Sequence, residues 1–156
     1  MITNNLSNFI STLISLVPFD VSELQLDHFA YQTSSMKDYD NLKKESLEIG
    51  VLVSENIVGG RRVGIFKFEK PIQSNGYEIL GFELIEPKEG QVCKSELDHI
   101  EFVIPVSFDE YLHLHQDVDW NLSAKDRDEF PKLSLKFEDG KCVKFHTKDI
   151  FSEIPD

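Results

Sequence analysis

The chain contains the hexapeptide Leu26-Asp27-His28-Phe29-Ala30-Tyr31 and, 71 positions later (99 − 28), the similar hexapeptide Leu97-Asp98-His99-Ile100-Glu101-Phe102. Polar and apolar residues alternate within each hexapeptide, which is typical of a half-buried β-strand. Each strand is followed by a capping pattern, Ser35-Met36-Lys37-Asp38 and Ser107-Phe108-Asp109-Glu110. In such a pattern a hydroxyl and an acid satisfy free N–H groups where a helix begins. Three identical residues, Leu-Asp-His, are by themselves compatible with chance. Because each copy also has the same order of a strand followed by a capped helix, the sequence predicts an internal duplication.

Further elements follow from local patterns. Apolar residues at three- and four-residue spacing predict an amphipathic helix over 6–17, closed by Pro18. Gly50 is a candidate C-terminal cap for the helix after the first hexapeptide. The turn Asp139-Gly140 predicts a hairpin, and residues 147–154 are predicted to form a short closing helix. The remaining β-rich stretches cover residues 51–54, 63–68, 77–85, 133–137 and 142–146.

These elements predict an α+β fold of paired βαβββ modules forming an open, curved, mixed sheet around a central cavity, preceded by an N-terminal helix. We expect a single domain over residues 1–156, with the N-terminal helix within 1–20 and module one at 24–87. Module two and a C-terminal helix occupy 95–156. Module two has no clear second strand between Gln116 and Leu133.

Composition excludes several classes of function. The 28 acidic residues exceed the 16 Lys and Arg residues, so the net charge is −12, which disfavours binding to nucleic acid. Cys93 and Cys142 lie far apart without a C-x-x-C spacing, so neither a disulfide framework nor a zinc knuckle is indicated. The apolar segment 6–17 is interrupted by hydroxyl residues and has no basic residue before it, unlike a secretory signal. We therefore expect a cytoplasmic protein that binds no nucleic acid and no membrane.

Strand alternation places four polar residues on equivalent faces. Because successive side chains in a strand point to opposite sides, His28 and His99 lie opposite the apolar residues of their strands. Glu83 and His146 have the same relation to the strands that end the two copies. If the strands curl into one sheet, these four side chains face a shared cavity.

Three imidazoles and one carboxylate are a suitable ligand set for a divalent transition metal, namely Zn, Fe, Mn or Ni. With one carboxylate the site keeps a net positive charge, which can polarise a bound carbonyl or lower the pKa of bound water. A single histidine on a strand is often only hydrogen-bonded, and a glutamate there is often only solvated. Alternation alone is therefore also compatible with four polar side chains that bind no metal.

Other polar residues lie near the predicted cavity. Glu101, two residues beyond His99, is a candidate general base, or alternatively an acceptor of a hydrogen bond from a ligand imidazole. Arg61 follows a Gly-Gly turn, where its guanidinium either binds a substrate carboxylate or is solvated. Lys144 shares the parity of His146 and is a candidate for binding an anion.

At these residues the chain resembles the YecM-like family, whose fold is similar to that of the vicinal-oxygen-chelate proteins, which include glyoxalases and extradiol dioxygenases. The resemblance extends over residues 24–154. The matching residues are Asp27-His28, Ser54-Glu55-Asn56, Gly60-Arg61, Phe66-Lys67-Phe68, Glu83, His99-Ile100-Glu101, Pro105 and Lys144-Phe145-His146.

The resemblance implies two modules around a metal, with ligands from the first and last strands of each module, where this chain has His28, Glu83, His99 and His146. It implies chelation of a substrate through neighbouring oxygens, with stabilisation of an enolate or activation of dioxygen. Enzymes of the superfamily usually have Glu at the last ligand position, so His146 is a departure.

We therefore expect a divalent-metal-binding protein of vicinal-oxygen-chelate type. The first hypothesis is a metal-dependent isomerase, lyase or oxygenase that acts on a small oxygenated anionic metabolite. The second is a non-catalytic protein that binds a metal or a small ligand in the same cavity, and the third is a purely structural role with an empty cavity. The sequence makes no prediction of oligomeric state.

Overall fold

In the computed structural model, which describes residues 1–154, the chain forms four helices and seven strands. Their bounds in chain order are α1 (Leu6–Leu16), β1 (Gln25–Gln32), α2 (Met36–Ser46), β2 (Gly50–Val58), β3 (Arg61–Ser74), β4 (Tyr77–Ile85), β5 (Glu96–Val103), α3 (Phe108–Leu114), β6 (Leu133–Lys136), β7 (Cys142–His146) and α4 (Ile150–Glu153).

The strands form one mixed sheet in the order β2-β3-β4-β1-β5-β7-β6. Strand β1 runs parallel to β4, and β5 runs parallel to β7. The two copies meet where β1 and β5 pair antiparallel at the centre of the sheet. Each copy therefore places its first and last strands side by side, and the predicted α+β fold with an open mixed sheet is confirmed.

Module two is shorter than module one, as its sequence predicted. Among the described residues, the segment between α3 and β6 meets the sheet at a single isolated bridge, Asn121 to Ser134. The hairpin predicted at Asp139-Gly140 joins β6 and β7, and Gly140 has the positive φ of 83° that this turn needs. Module two is thus a βαββ unit.

Helices α1, α2 and α3 cover the apolar face of the sheet. The rings of Phe66 and Phe82 stack at 4.9 Å between centroids, and Phe29 stacks on Phe82 at 5.5 Å. Helix α1 adds Leu6, Ile10 and Leu13 to the same buried cluster. Burying a Phe or Leu side chain contributes roughly 1.5–3 kcal/mol, so this layer holds the sheet against its helices.

Both predicted capping serines are confirmed. The Ser35 hydroxyl accepts a hydrogen bond from the Asp38 backbone N–H at 3.0 Å, where α2 begins. The Ser107 hydroxyl accepts one from the Glu110 N–H at 3.1 Å, where α3 begins. These bonds satisfy N–H groups that have no partner inside the helix.

The prediction that Gly50 caps a helix is wrong. Helix α2 ends at Ser46, and Gly50 is the first residue of β2. A Cβ atom at Gly50 would lie 2.6 Å from the carbonyl oxygen of Lys67 on the neighbouring strand β3. Glycine is needed there for close approach of two backbones, and not for a left-handed conformation.

No helix within residues 1–154 combines the length and the apolar character that crossing a lipid bilayer requires.

Candidate metal centre

The pairing of β1 with β5 contains a one-residue bulge at Asp27. Leu26 pairs with Phe102, and His28 pairs with the adjacent residue Glu101, so Asp27 is an extra residue in β1. A bulge interrupts the strict alternation of side chains along a strand. Asp27 and His28 therefore both turn toward the polar face.

The second copy carries the equivalent bulge at Asp98. Ala30 pairs with His99, and Tyr31 pairs with Leu97, so Asp98 is the extra residue in β5. The duplicated Leu-Asp-His sequence thus corresponds to a duplicated backbone feature. Each bulge places an aspartate beside the histidine that follows it.

Each aspartate contacts the Nδ1 atom of its neighbouring histidine. The distance from Asp27 Oδ2 to His28 Nδ1 is 2.7 Å, and that from Asp98 Oδ2 to His99 Nδ1 is 2.8 Å. A ring that donates from Nδ1 to a carboxylate presents the lone pair of Nε2 on its other side, and this arrangement is frequent in histidines that bind metals.

Four side chains converge at the Nε2 side of His28. His28 Nε2 lies 2.7 Å from Glu83 Oε1 and 3.4 Å from Glu101 Oε2. One ligand atom from each of His28, Glu83, His99 and Glu101 falls within 4.8 Å of all the others. The four residues come from the adjacent strands β4, β1 and β5, and their side chains share the polar face.

His99 carries one sign that the cluster suits a cation. Its Nδ1 is engaged by Asp98, while its Nε2 is buried without a hydrogen-bond partner among the described residues. A buried polar atom without a partner costs free energy, on the order of 1–3 kcal/mol. A metal ion bound between His99 and the carboxylates would satisfy this atom, so the donor set fits a divalent ion.

His146 lies beside His28, with the two ring centroids 5.9 Å apart. Its Nδ1 is 3.2 Å from Glu101 Oε2 and its Nε2 is 3.4 Å from Asp27 Oδ2, although this Nε2 makes no hydrogen bond and, like that of His99, is buried without a partner among residues 1–154. A second group of possible ligand atoms consists of Asp27, His28 and His146. The structure therefore brings His146 against the cluster without placing it in the group of four, where Glu101 stands instead.

Negative charge around His28 controls its protonation. Burial by itself opposes a charged ring, but the charge of Glu101 and the hydrogen bonds with Asp27 and Glu83 raise the pKa of His28 to about 10. Although burial works in the opposite direction, the hydrogen bond and charge of His28 lower the pKa of Glu83 to about 2. The carboxylates are thus ionised and stabilise a positive charge at His28, either a proton on Nε2 or, once that proton has left, a bound metal ion.

The two histidines of the cluster differ in their titration. Burial, aided by the positive charge of Lys144, lowers the pKa of His99, so its ring is neutral at pH 7 and able to act as a ligand. Burial opposes ionisation of Glu101, but the charges of Lys132 and His28 outweigh it and hold the pKa of this carboxyl well below its usual range.

Asp27 and Lys132 belong to the site, and side-chain alternation along the strands predicts neither of them. Strict alternation assigns Asp27 to the face opposite His28, and only the bulge reverses that assignment. Lys132 lies in the irregular segment before β6, with its Nζ 3.4 Å from Glu101 Oε1. Although burial opposes it, the charges of Glu101 and Glu83 raise the pKa of Lys132. Three-dimensional contact alone reveals Lys132, because its segment has no periodic pattern.

The two residues predicted to bind substrate, Lys144 and Arg61, lie at different distances from the cluster of four side chains. Lys144 pairs in register with Glu101, on the adjacent strand β7. Arg61 begins β3, and its Nη1 donates to Gln32 Oε1 at 3.3 Å, four residues beyond His28 on β1. Lys144 therefore borders the cluster, whereas Arg61 lies toward the end of the sheet.

Helix α4 lies over the polar face close to the cluster. The Ile150 N–H donates to Asp27 Oδ2 at 3.0 Å, and the Phe151 ring lies against Gly81, the residue that pairs with His28. The side chains of His28, His99, Glu101 and His146 are 3% exposed or less. Glu83 and Lys132 are slightly more exposed, at 13% and 14%.

Sequence comparison identifies relatives over nearly the whole chain. The profile of the family described as YecM protein matches residues 2–154. The protein YecM of Escherichia coli (strain K12) is 26% identical over 162 residues, which cover 93% of this chain and 86% of that protein. An uncharacterized protein of Haemophilus influenzae is 30% identical over 96 residues, which cover 62% of this chain. That match spans 50% of the length of the Haemophilus protein.

Solved structures share the fold. The structural-genomics protein EC4020 matches with a TM-score of 0.78 and 22% identity, over 98% of this chain and 89% of that one. Methylmalonyl-CoA epimerase of Streptomyces coelicolor, in complex with 2-nitronate-propionyl-CoA, matches with a TM-score of 0.57 and 14% identity, over 80% of this chain and 96% of that one. At these identities the likeness shows the fold alone, which this chain shares with methylmalonyl-CoA epimerase. Taken with the sequence profile over residues 2–154, this shows that the chain belongs to the YecM family.

Proposed function

We propose that this chain binds one divalent transition metal ion, Zn, Fe, Mn or Ni, through His28, Glu83, His99 and Glu101. The observation that carries the proposal is the buried Nε2 of His99, which has no hydrogen-bond partner among residues 1–154, in the same cluster as two carboxylates. Two imidazoles and two carboxylates are ligands that these metals accept. With the ion bound, the protein would act as a metal-dependent isomerase, lyase or oxygenase. Its substrate would be a small oxygenated anionic molecule.

The protein residues supply binding and orientation in this proposal. Asp27 and Asp98 hold the rings of His28 and His99 through Nδ1, so that each Nε2 is directed at the ion. The metal, when bound, acts as a Lewis acid that polarises an oxygen of the substrate. The nearly complete burial of His28 and His99 keeps water away from these ligand bonds.

The identity of the fourth ligand is part of the proposal. Glu101 belongs to the group of four side chains. His146 lies outside that group, with its Nδ1 3.2 Å from Glu101 Oε2. We therefore assign Glu101 as the ligand, and His146 as a residue that orients it. If His146 is instead the ligand, Glu101 keeps the role of general base or hydrogen-bond acceptor.

A second candidate function, a non-catalytic metal- or small-ligand-binding protein, is favoured by one observation. Three of the four proposed ligands have side chains that are 3% exposed or less. Closed sites are typical of structural metals, while catalytic sites keep one coordination position open. The two functions therefore differ in whether an added molecule binds the ion and is converted.

The test is elemental analysis of purified protein after loading with each of the four metals and removal of free ions. We expect about one equivalent of metal in the wild type and at least tenfold weaker metal binding in His28→Ala and His99→Ala. The matched control is His113→Ala, because His113 is exposed on α3. Equal metal binding by all four proteins would contradict the metal assignment.

Two further variants and a substrate screen complete the test. Greater loss of metal in Glu101→Gln than in His146→Ala supports Glu101 as the ligand, and the reverse order supports His146. The metal-loaded wild type is then incubated with α-hydroxycarbonyl, enediol and catechol compounds. Turnover that disappears on removal of the metal supports an enzyme, and metal binding without turnover supports the second candidate.

A further inference from the structure

We infer that Lys132 forms an anion-binding subsite beside the metal centre, and that this subsite selects small α-hydroxy- or α-keto-carboxylates as the molecules that reach the ion. The inference rests on the proposed function, because the second oxygen of such a molecule needs the metal as its partner.

Lys132 lies beside the proposed metal centre and is partly accessible. Its Nζ lies 3.4 Å from Glu101 Oε1, so the ammonium group adjoins a proposed ligand. The side chain of Lys132 is 14% exposed, whereas those of His28, His99 and Glu101 are 3% exposed or less. A molecule from solvent can therefore contact Lys132 next to a group of nearly closed ligands.

Lys132 also supplies positive charge where the proposed metal centre has none to spare. A divalent ion held by two carboxylates and two neutral imidazoles is a neutral centre, and it does not attract an anion by its net charge. Lys132 adds one positive charge beside this centre, and Arg127 is close enough to act on Lys132 electrostatically. Lys144, in register with Glu101, adds another. These positive charges lie at the centre although the chain as a whole has a net charge of −12.

The chemistry of the two partners defines the ligand. An ammonium group is a compact donor with no acceptor, and a carboxylate oxygen is its natural partner. A hydroxyl or keto oxygen on the adjacent carbon is then able to reach the metal, so one small molecule spans both. A single carboxylate matches Lys132, the lysine whose Nζ lies 3.4 Å from a proposed ligand.

The alternative role for Lys132 is that of a structural counter-ion which only neutralises Glu101. In that case, replacing Lys132 weakens metal binding and does not selectively weaken the binding of anions to the metal-loaded protein. The Asp98 carboxylate, 33% exposed on the far side of His99, carries the wrong charge to bind a carboxylate, so no competing anion site is provided there.

The experiment compares metal-loaded wild type, Lys132→Met, Lys132→Arg and the control Lys136→Met. Lys136 ends the adjacent strand β6 and is exposed. Metal content is measured first, and isothermal titration with glycolate, pyruvate and the neutral analogue hydroxyacetone follows. We expect Lys132→Met to retain metal and to bind glycolate and pyruvate at least tenfold more weakly than the wild type. Lys132→Arg and Lys136→Met are expected to remain within a few-fold of the wild type, and hydroxyacetone to bind weakly and equally to all four.

Several results overturn the inference. One is unchanged glycolate and pyruvate affinity in Lys132→Met, and another is no binding of either probe to the metal-loaded wild type. Loss of metal from both Lys132 variants assigns the residue to the structural role. Absence of metal from every protein, wild type included, is a different result, because it removes the proposed function and the subsite with it.

Discussion

Asp27 holds the ring of His28 from the adjacent position in the same strand, with Oδ2 at 2.7 Å from Nδ1. Neighbours in a regular strand point to opposite faces, so this contact exists only because β1 bulges at Asp27. The second copy repeats the relationship with Asp98 and His99 at 2.8 Å. The duplicated motif therefore encodes a ligand together with the group that orients it.

Removing either orienting carboxylate should weaken metal binding. Replacing Asp27 or Asp98 with Asn leaves the side-chain shape but removes the charge that stabilises Nδ1–H. We expect metal affinity to fall roughly 10- to 100-fold in each variant, measured by competition with a chromogenic chelator. Asp119→Asn, at an exposed position in the irregular segment, is the control. Wild-type affinity in both bulge variants would show that these contacts do not serve a metal.

Metal binding should stabilise the folded chain. Because the ligands come from three strands, the unfolded chain presents no such site, and an ion at 100 times its dissociation constant adds about 2.7 kcal/mol to the free energy of unfolding. Urea unfolding with and without added metal measures this difference. We expect His99→Ala to lose the stabilisation, and His113→Ala to keep it. An identical gain in His99→Ala would place the bound ion elsewhere.

Substituting Gly50 should strain the pairing of β2 with β3. The added Cβ atom would lie 2.6 Å from the carbonyl oxygen of Lys67, and backbone cannot move aside as a flexible side chain does. We expect Gly50→Ala to lower the free energy of unfolding by about 1–3 kcal/mol. Val51→Ala, at the next and exposed position, should change it far less. Equal unfolding curves for the two variants would contradict the close approach.

Alkaline pH should destabilise the chain through Tyr111. Burial raises the pKa of Tyr111 to about 12, above its ordinary value of 10. The folded state therefore keeps the proton more tightly than the unfolded state. This stabilisation is fully present below pH 10 and is lost as the pH rises toward 12.

The variant Tyr111→Phe isolates that contribution, because it removes the titrating hydroxyl and keeps the ring. We expect the wild type to lose on the order of 2 kcal/mol more stability than Tyr111→Phe between pH 10 and pH 12. Urea unfolding at several pH values measures the difference. Parallel stability curves for the two proteins would mean that Tyr111 titrates as it does in water.

The sequence predicted much of the architecture because much of the signal is local. The bounds of β4 and β7 follow from alternating residues, and the start of α2 follows from a serine three residues before an acid. These patterns depend on backbone geometry within a few residues. Gly50 was misassigned because a close approach to Lys67 depends on a different strand, which local sequence does not reveal.

Alternation by itself determined that His28, Glu83 and His99 face the same side of their strands, since a period of two is a property of any extended chain. Only the tertiary structure decided how the site is assembled from that face. A bulge is a mismatch in register between two paired strands. The direction of the Asp27 side chain therefore depends on how β1 pairs with β5, and not on the residues next to Asp27 in the sequence. Lys132 and His146 both contact Glu101, because the folded sheet brings together residues that are far apart in the chain.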